Sequence, residues 1–127
     1  MKGQVSAEYM MLFLVSLSLL AVSAASLGAI KDSAEHALYL HSFRHSAIAL
    51  SNAINEACAL GEGNSRPVEL SRPVDVQAEH TDDGWLIRMS GDASLVKHSL
   101  CEAESASLAE GAYYVENDGG KARFTGR

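Results

Sequence analysis

The side chains best suited to chemistry in this sequence are those of five histidines. His41 and His45 are four residues apart, which puts them on one face of a helix, and His36 lies one turn earlier. Two histidines so spaced can bind a metal, but no H-E-x-x-H motif occurs and no acidic third ligand follows at a set spacing. We therefore favour a polar stripe or a contact between subunits over a metal site, and predict no cofactor.

Patterns that would indicate catalysis are missing from the sequence. His98 and Cys101 could act as a base and a nucleophile, but this combination is common by chance, and a disulfide-bonded Cys101 could not serve. Asp82 and Asp83 are adjacent acids, which are turn residues more often than catalysts. The sequence also lacks G-x-S-x-G, P-loop and G-x-G-x-x-G motifs. We predict that the chain is not an enzyme.

The two cysteines, Cys58 and Cys101, form no C-x-x-C motif. An even number of cysteines in an exported domain favours a disulfide bond, with free buried thiols or metal ligation as the alternatives. The net charge of −6 argues against nucleic acid as a partner, because phosphate binding needs a surplus of Lys and Arg. The acidic balance is typical of a solvated surface domain.

A long apolar segment lies near the amino terminus of the chain. Residues Tyr9 to Ile30 include no Asp, Glu, Lys, Arg or His, and about 20 apolar residues suffice to cross a bilayer. A secretory signal peptide has a shorter apolar core, followed by small residues such as those between Ala21 and Ala29. That alternative stays open, but the length of the segment and its continuation into a helical pattern favour a retained membrane helix. Glu8 is a lone carboxylate at its start, a costly feature that indicates function.

The residues before this segment have a recognisable pattern. The sequence K-G-Q-V-S-A-E-Y over residues 2–9, followed by an apolar helix, resembles the class III signal peptide of archaeal type IV pilin-like proteins. The resemblance covers the first tenth of the chain. It implies that a prepilin peptidase cuts between Gly3 and Gln4 on the cytoplasmic side, which leaves Glu8 as the fifth residue. It further implies that a membrane assembly machinery builds copies of the chain into a helical surface filament, with adhesion as the expected role.

In such a filament, Glu8 is expected to bind a cation on a neighbouring subunit. A carboxylate at the edge of an apolar span favours a cation, and the newly freed amine of a neighbouring subunit is one. Their pairing would set the axial register of each incoming subunit. In the alternative, Glu8 lies among lipid headgroups and is solvated. After cleavage, Gln4 is the amino-terminal residue, and its cyclisation would remove the charge of the terminal amine. Glu8 could then form only a hydrogen bond with that residue of the neighbouring subunit.

The order of the elements predicts an α+β fold of the type IV pilin kind. A leader (1–3) precedes a transmembrane and filament-core helix (4–30), and an amphipathic continuation of that helix (31–60) leads to a β-rich head (61–127). Many residues of the core helix are small, which lets helices approach closely: Ser16, Ser18, Ala21, Ser23, Ala24, Ala25, Ser26, Gly28 and Ala29. The continuation has one apolar face: Ala37, Leu40, Phe43, Ala47, Leu50, Ile54 and Ala57. Gly61 and Gly63 are expected to end the helix.

The head is predicted to be one antiparallel sheet of four to six strands that covers the upper half of the helix. Asp83-Gly84 predicts one hairpin and the segment 117–120 predicts another. Pro67 and Pro73 suit strand edges or starts, and the segment 103–110 is left open between a loop and a helical turn. Cys58 and Cys101 would join the sheet to the helix.

Two functions are compatible with this layout. In the first, the chain is a pilin that waits in the cell membrane with its head outside and then joins an extracellular filament. Lys2 before the apolar segment fits the inside amino terminus that this orientation requires. In the second, the chain is a single-pass membrane anchor that presents a binding module and never polymerises.

Overall fold

A computed structural model describes the backbone of residues 2–127 and the side chains of residues 6–127. Within these residues the chain forms one helix and eight strands, so the fold is α+β as predicted. The elements are α1 (Lys2–Leu60), β1 (Ser65–Leu70), β2 (Val74–Thr81), β3 (Gly84–Ser90), β4 (Ser94–Ser99), β5 (Glu102–Ala103), β6 (Ala106–Leu108), β7 (Gly111–Asp118) and β8 (Lys121–Gly126). The chain divides into two compact units, Met1–Ala37 and Leu38–Arg127.

The second half of α1 forms because its apolar residues recur at three- and four-residue spacing. Five of the seven predicted face residues are buried: Phe43, Ala47, Leu50, Ile54 and Ala57. Leu40 is half-buried and Ala37 is exposed. The helix ends where Gly61 and Gly63 adopt φ values of 91° and 80°, a conformation that side chains with a Cβ rarely take. The predicted helix and its end are therefore confirmed.

The strands form two four-stranded sheets, and the prediction of a single sheet was wrong. Sheet A has the order β1-β7-β8-β5 and sheet B has the order β4-β3-β2-β6. The β5–β8 pair in sheet A is parallel, and the other pairs are antiparallel. Strands β1 and β2 are neighbours in sequence but belong to different sheets, because residues 71–73 turn the chain from one sheet to the other. The open segment 103–110 contains the short strand β6.

Both predicted hairpins are present. Strands β2 and β3 pair from Asp75 opposite Ser90 to Thr81 opposite Gly84, which leaves Asp82 and Asp83 as a two-residue turn. Strands β7 and β8 pair up to Asp118 opposite Lys121, around a turn of two glycines. Both glycines have positive φ values, 61° at Gly119 and 83° at Gly120, as a type I′ turn requires.

One hydrophobic core is shared by α1 and the inner faces of both sheets. Sheet A contributes Val68, Leu70, Val115 and Ala122, and sheet B contributes Val74, Val76, Ile87 and Met89. Alternate residues of these strands are buried, as expected for sheets with one face against a core. The buried helix face includes the small residues Ala47, Ala53, Ala57, Ser46 and Ser51, which let the strands approach it closely.

Two turns of the head are fixed to the helix near Phe43. The Ser71 backbone N–H donates to Ser46 Oγ at 3.0 Å, which satisfies a buried hydroxyl. Arg72 in the same turn pairs with Asp92 at 2.8 Å, and its guanidinium lies 4.4 Å from the centre of the Tyr39 ring. The turns that connect β1 to β2 and β3 to β4 are thus held together at one end of the core.

Gly91 occupies the tightest position in this arrangement. A Cβ added there would lie 2.7 Å from Phe43 Cε2 and 2.9 Å from the Pro73 carbonyl oxygen. We expect Gly91→Ala to lower the free energy of unfolding by about 1–3 kcal/mol through overpacking. Urea unfolding of the detergent-solubilised chain, followed by fluorescence of the single tryptophan, Trp85, measures this.

Gly126→Ala is the matched control, since a Cβ there would have no atom within 4 Å. It should change stability by less than about 0.5 kcal/mol. Equal midpoints for the Gly91 and Gly126 variants would contradict the predicted overpacking at Gly91.

Candidate functional site

The apolar half of α1 is the largest exposed hydrophobic surface that the described residues contain. Its large side chains between Tyr9 and Ile30 are 46–73% exposed, with Leu17 the least and Met11 the most. From Ser6 onward, α1 is long and apolar enough to cross a membrane. Its most apolar stretch is not buried against the rest of the protein. A soluble monomer rarely exposes so large a continuous patch. The segment therefore indicates membrane insertion or a signal sequence.

The four serines of this segment hide their polar groups within the helix. Ser16, Ser18, Ser23 and Ser26 each donate their hydroxyl hydrogen to the carbonyl oxygen four residues earlier, at 2.8–2.9 Å. An unpaired hydroxyl in an apolar medium costs several kcal/mol, and these bonds remove most of that cost. The segment can therefore lie against lipid or against another apolar helix without leaving a hydroxyl hydrogen unbonded at these four positions.

Glu8 is exposed and lies directly before the uncharged stretch that begins at Tyr9. It is the only charged side chain from residue 6 to residue 30. A carboxylate at this place requires either water and headgroups or a cationic partner. The predicted processing residues Gly3 and Gln4 lie outside the residues whose side chains the structure describes.

The predicted disulfide is present and joins the end of α1 to the head. Cys58 is bonded to Cys101 across a sequence separation of 43 residues, with a Cα–Cα distance of 5.9 Å. Asn55, one turn earlier on α1, reinforces this connection: it accepts from the Leu100 backbone N–H at 3.0 Å and donates to the His98 carbonyl at 3.3 Å. The segment 98–101 is therefore attached to the helix by covalent and polar contacts.

Two asparagines that were not predicted from the sequence bind the carbonyl oxygens at the end of α1. Asn64 donates to the Leu60 carbonyl at 2.8 Å, and buried Asn117 donates to the Ala57 carbonyl at 3.5 Å. The Asn117 backbone also exchanges hydrogen bonds with residues 63 and 64. Carbonyls at a helix end need such partners. Asn64, just after the helix-ending glycines, was a readable signal; Asn117 was not, because it is distant in sequence.

The other candidates form neither a catalytic site nor a site with three metal ligands. All five histidines are exposed, and no group of three or more possible metal ligands occurs among the described residues. Cys101 is disulfide-bonded and so offers His98 no thiol. Asp82 and Asp83 form the β2–β3 turn, and Trp85 packs edge-on against His80 with ring centres 4.9 Å apart.

Comparisons with protein-family models, curated proteins and solved structures find no match to this chain.

Proposed function

We propose that this chain is the structural subunit, a pilin, of an archaeal type IV pilus-like surface filament. A prepilin peptidase removes residues 1–3, and the chain then assembles through its amino-terminal helix, with adhesion as the expected role of the filament. Before assembly the chain lies in the cell membrane with its head outside. Besides lipid, the chain has three partners: other copies of itself, the peptidase and the assembly machinery.

One observation carries the proposal. A single carboxylate, Glu8, directly precedes the exposed apolar segment of α1, and the same helix contributes further along to the core of a disulfide-linked head. A simple anchor needs only about 20 apolar residues and gains nothing from a carboxylate at their edge. A subunit that moves from lipid into a bundle of identical helices uses both the apolar segment and the carboxylate. The apolar segment packs in the bundle, and the carboxylate can select one axial register of the helices among many.

The small residues of the apolar segment support close helix packing. Helices in an apolar medium associate through van der Waals contacts and polar bonds, and small side chains let their backbones approach. The serines already bond within their own helix, so their small size is available for packing at little polar cost. A lone anchor would tolerate leucine at these positions.

The test is the intact mass of the protein in filaments sheared from its native cells. We expect a mass that begins at Gln4, lowered by two hydrogens for the Cys58–Cys101 bond and by ammonia if Gln4 has cyclised. A full-length mass found only in the membrane would refute the filament and leave the non-polymerising anchor.

The Gly3→Val variant tests the cleavage step separately. The predicted cut directly follows Gly3, so a branched side chain there should hinder access of the peptidase, block cleavage and keep the full-length chain in the membrane. Mass spectrometry of the membrane fraction measures the cleaved share. A variant cleaved as completely as the wild type would contradict the assignment of the processing site.

A further inference from the structure

We propose that His41 and His45 form a two-imidazole chelate for a late first-row divalent metal ion, such as Ni²⁺, Cu²⁺ or Zn²⁺. This site lies on the face of α1 opposite the core, and it does not depend on the proposed filament. The sequence offers no third protein ligand, but a chelate needs only two protein ligands and leaves the other coordination positions of the metal to water.

The helix places the two imidazoles side by side. Residues four apart on an α-helix differ by about 40° around the axis, and their Cβ atoms lie about 5–6 Å apart. A metal ion about 2 Å from each nitrogen fits between two rings at this spacing. Residues 41 and 45 lie within an unbroken stretch of helix, so the backbone holds the spacing without a loop.

Both imidazoles are free to turn toward an ion. His41 and His45 are exposed, whereas Phe43 and Ala47, on the opposite side of the same turns, are fully buried against the strands. Among the described residues neither histidine takes part in a hydrogen bond, an ion pair or an aromatic contact, in contrast to His80, which packs against Trp85. No existing interaction has to break before the metal binds.

The neighbouring side chains select the class of ion. Between residues 37 and 49 the only charged side chain apart from histidine is that of Arg44, and no carboxylate is present. Ca²⁺ and Mg²⁺ prefer oxygen ligands, whereas Ni²⁺, Cu²⁺ and Zn²⁺ accept imidazole nitrogen. The positive charge of Arg44 repels any cation and therefore weakens metal binding. The coordination positions that water fills allow the bound metal to exchange.

The experiment is a calorimetric titration of the full-length, untagged chain in a non-ionic detergent with Ni²⁺ alone. We expect His41→Ala and His45→Ala each to weaken binding roughly 10- to 100-fold, because the second imidazole binds at a high effective concentration. Both histidines are exposed and alanine is the best helix former, so these variants should fold. Mg²⁺ should give no binding heat.

A separated pair is the matched control. The double variant His45→Ala/Asn52→His keeps five histidines and uses an exposed position, but its two rings are about 16 Å apart along the helix. It should bind Ni²⁺ as weakly as His45→Ala, and His98→Ala should bind as tightly as the wild type. Wild-type affinity in the separated pair, or no Ni²⁺ binding by the wild type, would overturn the proposal.

Discussion

Replacing Glu8 with alanine is expected to abolish the proposed filament while the chain stays in the membrane. In the assembled helix bundle the carboxylate would face the amine of Gln4 on a neighbouring subunit, in surroundings with little water. Removing one partner of a buried ion pair costs about 3–5 kcal/mol, since the other charge stays buried and unpaired. At 3 kcal/mol the equilibrium constant for adding each subunit falls by more than about 100-fold. Electron microscopy and the yield of sheared filament measure the effect.

Two further variants separate charge pairing from other causes. Glu8→Gln keeps a hydrogen-bond acceptor, so it should assemble nearly normally if Gln4 has cyclised and poorly if its amine is free. Ser16→Ala removes a hydroxyl that bonds within its own helix, and it should leave filaments unchanged. If Glu8→Ala cells carried as many filaments as the wild type, Glu8 would have no role in register.

Loss of the disulfide should cause the largest fall in stability of the head. The Cys58→Ser/Cys101→Ser variant opens a loop of 43 residues, which lowers the free energy of unfolding by about 4 kcal/mol in the chain-entropy model. For a domain of this size the melting temperature should fall by about 20 °C. Thermal unfolding of the full chain in detergent, followed by Trp85 fluorescence, measures the shift.

The reduced wild-type protein is the control for the serine side chains. It should melt close to the double variant, because both lose the same crosslink. Asn55 and its bonds to residues 98–100 remain in both, so the head should still fold at low temperature. A double variant that melts with the oxidised wild type would show that these polar contacts alone hold the segment.

The parts of the fold that depend on nearby residues were predictable. The spacing of Phe43, Leu50 and Ile54 indicated the buried helix face, and glycines at 61 and 63 indicated its end. Hairpins were readable at residues 82–84 and 117–120, because turn residues there stand between strand-forming runs. In each case the physical cause acts over a few residues.

The division into two sheets was not predictable, because it depends on contacts between distant segments. Strand β1 pairs with β7, so Ser65 lies opposite Glu116, and no local pattern records this choice. The parallel β5–β8 pair has only two residues in β5. The alternation of buried and exposed residues shows which face of a strand is inward, but it does not show which strand lies beside it.

The candidate site also contains residues that were predictable from the sequence and residues that were not. Glu8, the apolar segment and both cysteines were identified from residue type and position alone. The helix-capping role of Asn117 required the structure, since that residue contacts Ala57 across a separation of 60 residues. Gly91 likewise appears unremarkable until the Phe43 ring is placed against it.

The position of β8 has a consequence for the order of folding during synthesis. This strand, made after the seven others, lies between β7 and β5, and Lys121 pairs with Glu102 at 2.8 Å across the β8–β5 boundary. Sheet A therefore cannot be completed until residues 121–126 have left the ribosome. The apolar helix, which is made first, has emerged long before that. Sheet B is complete once β6 emerges, so it can form first on the helix. Between the emergence of β6 and that of β7, the newly made chain therefore has a complete sheet B while Val68 and Leu70 of β1 still lack their partner strand β7.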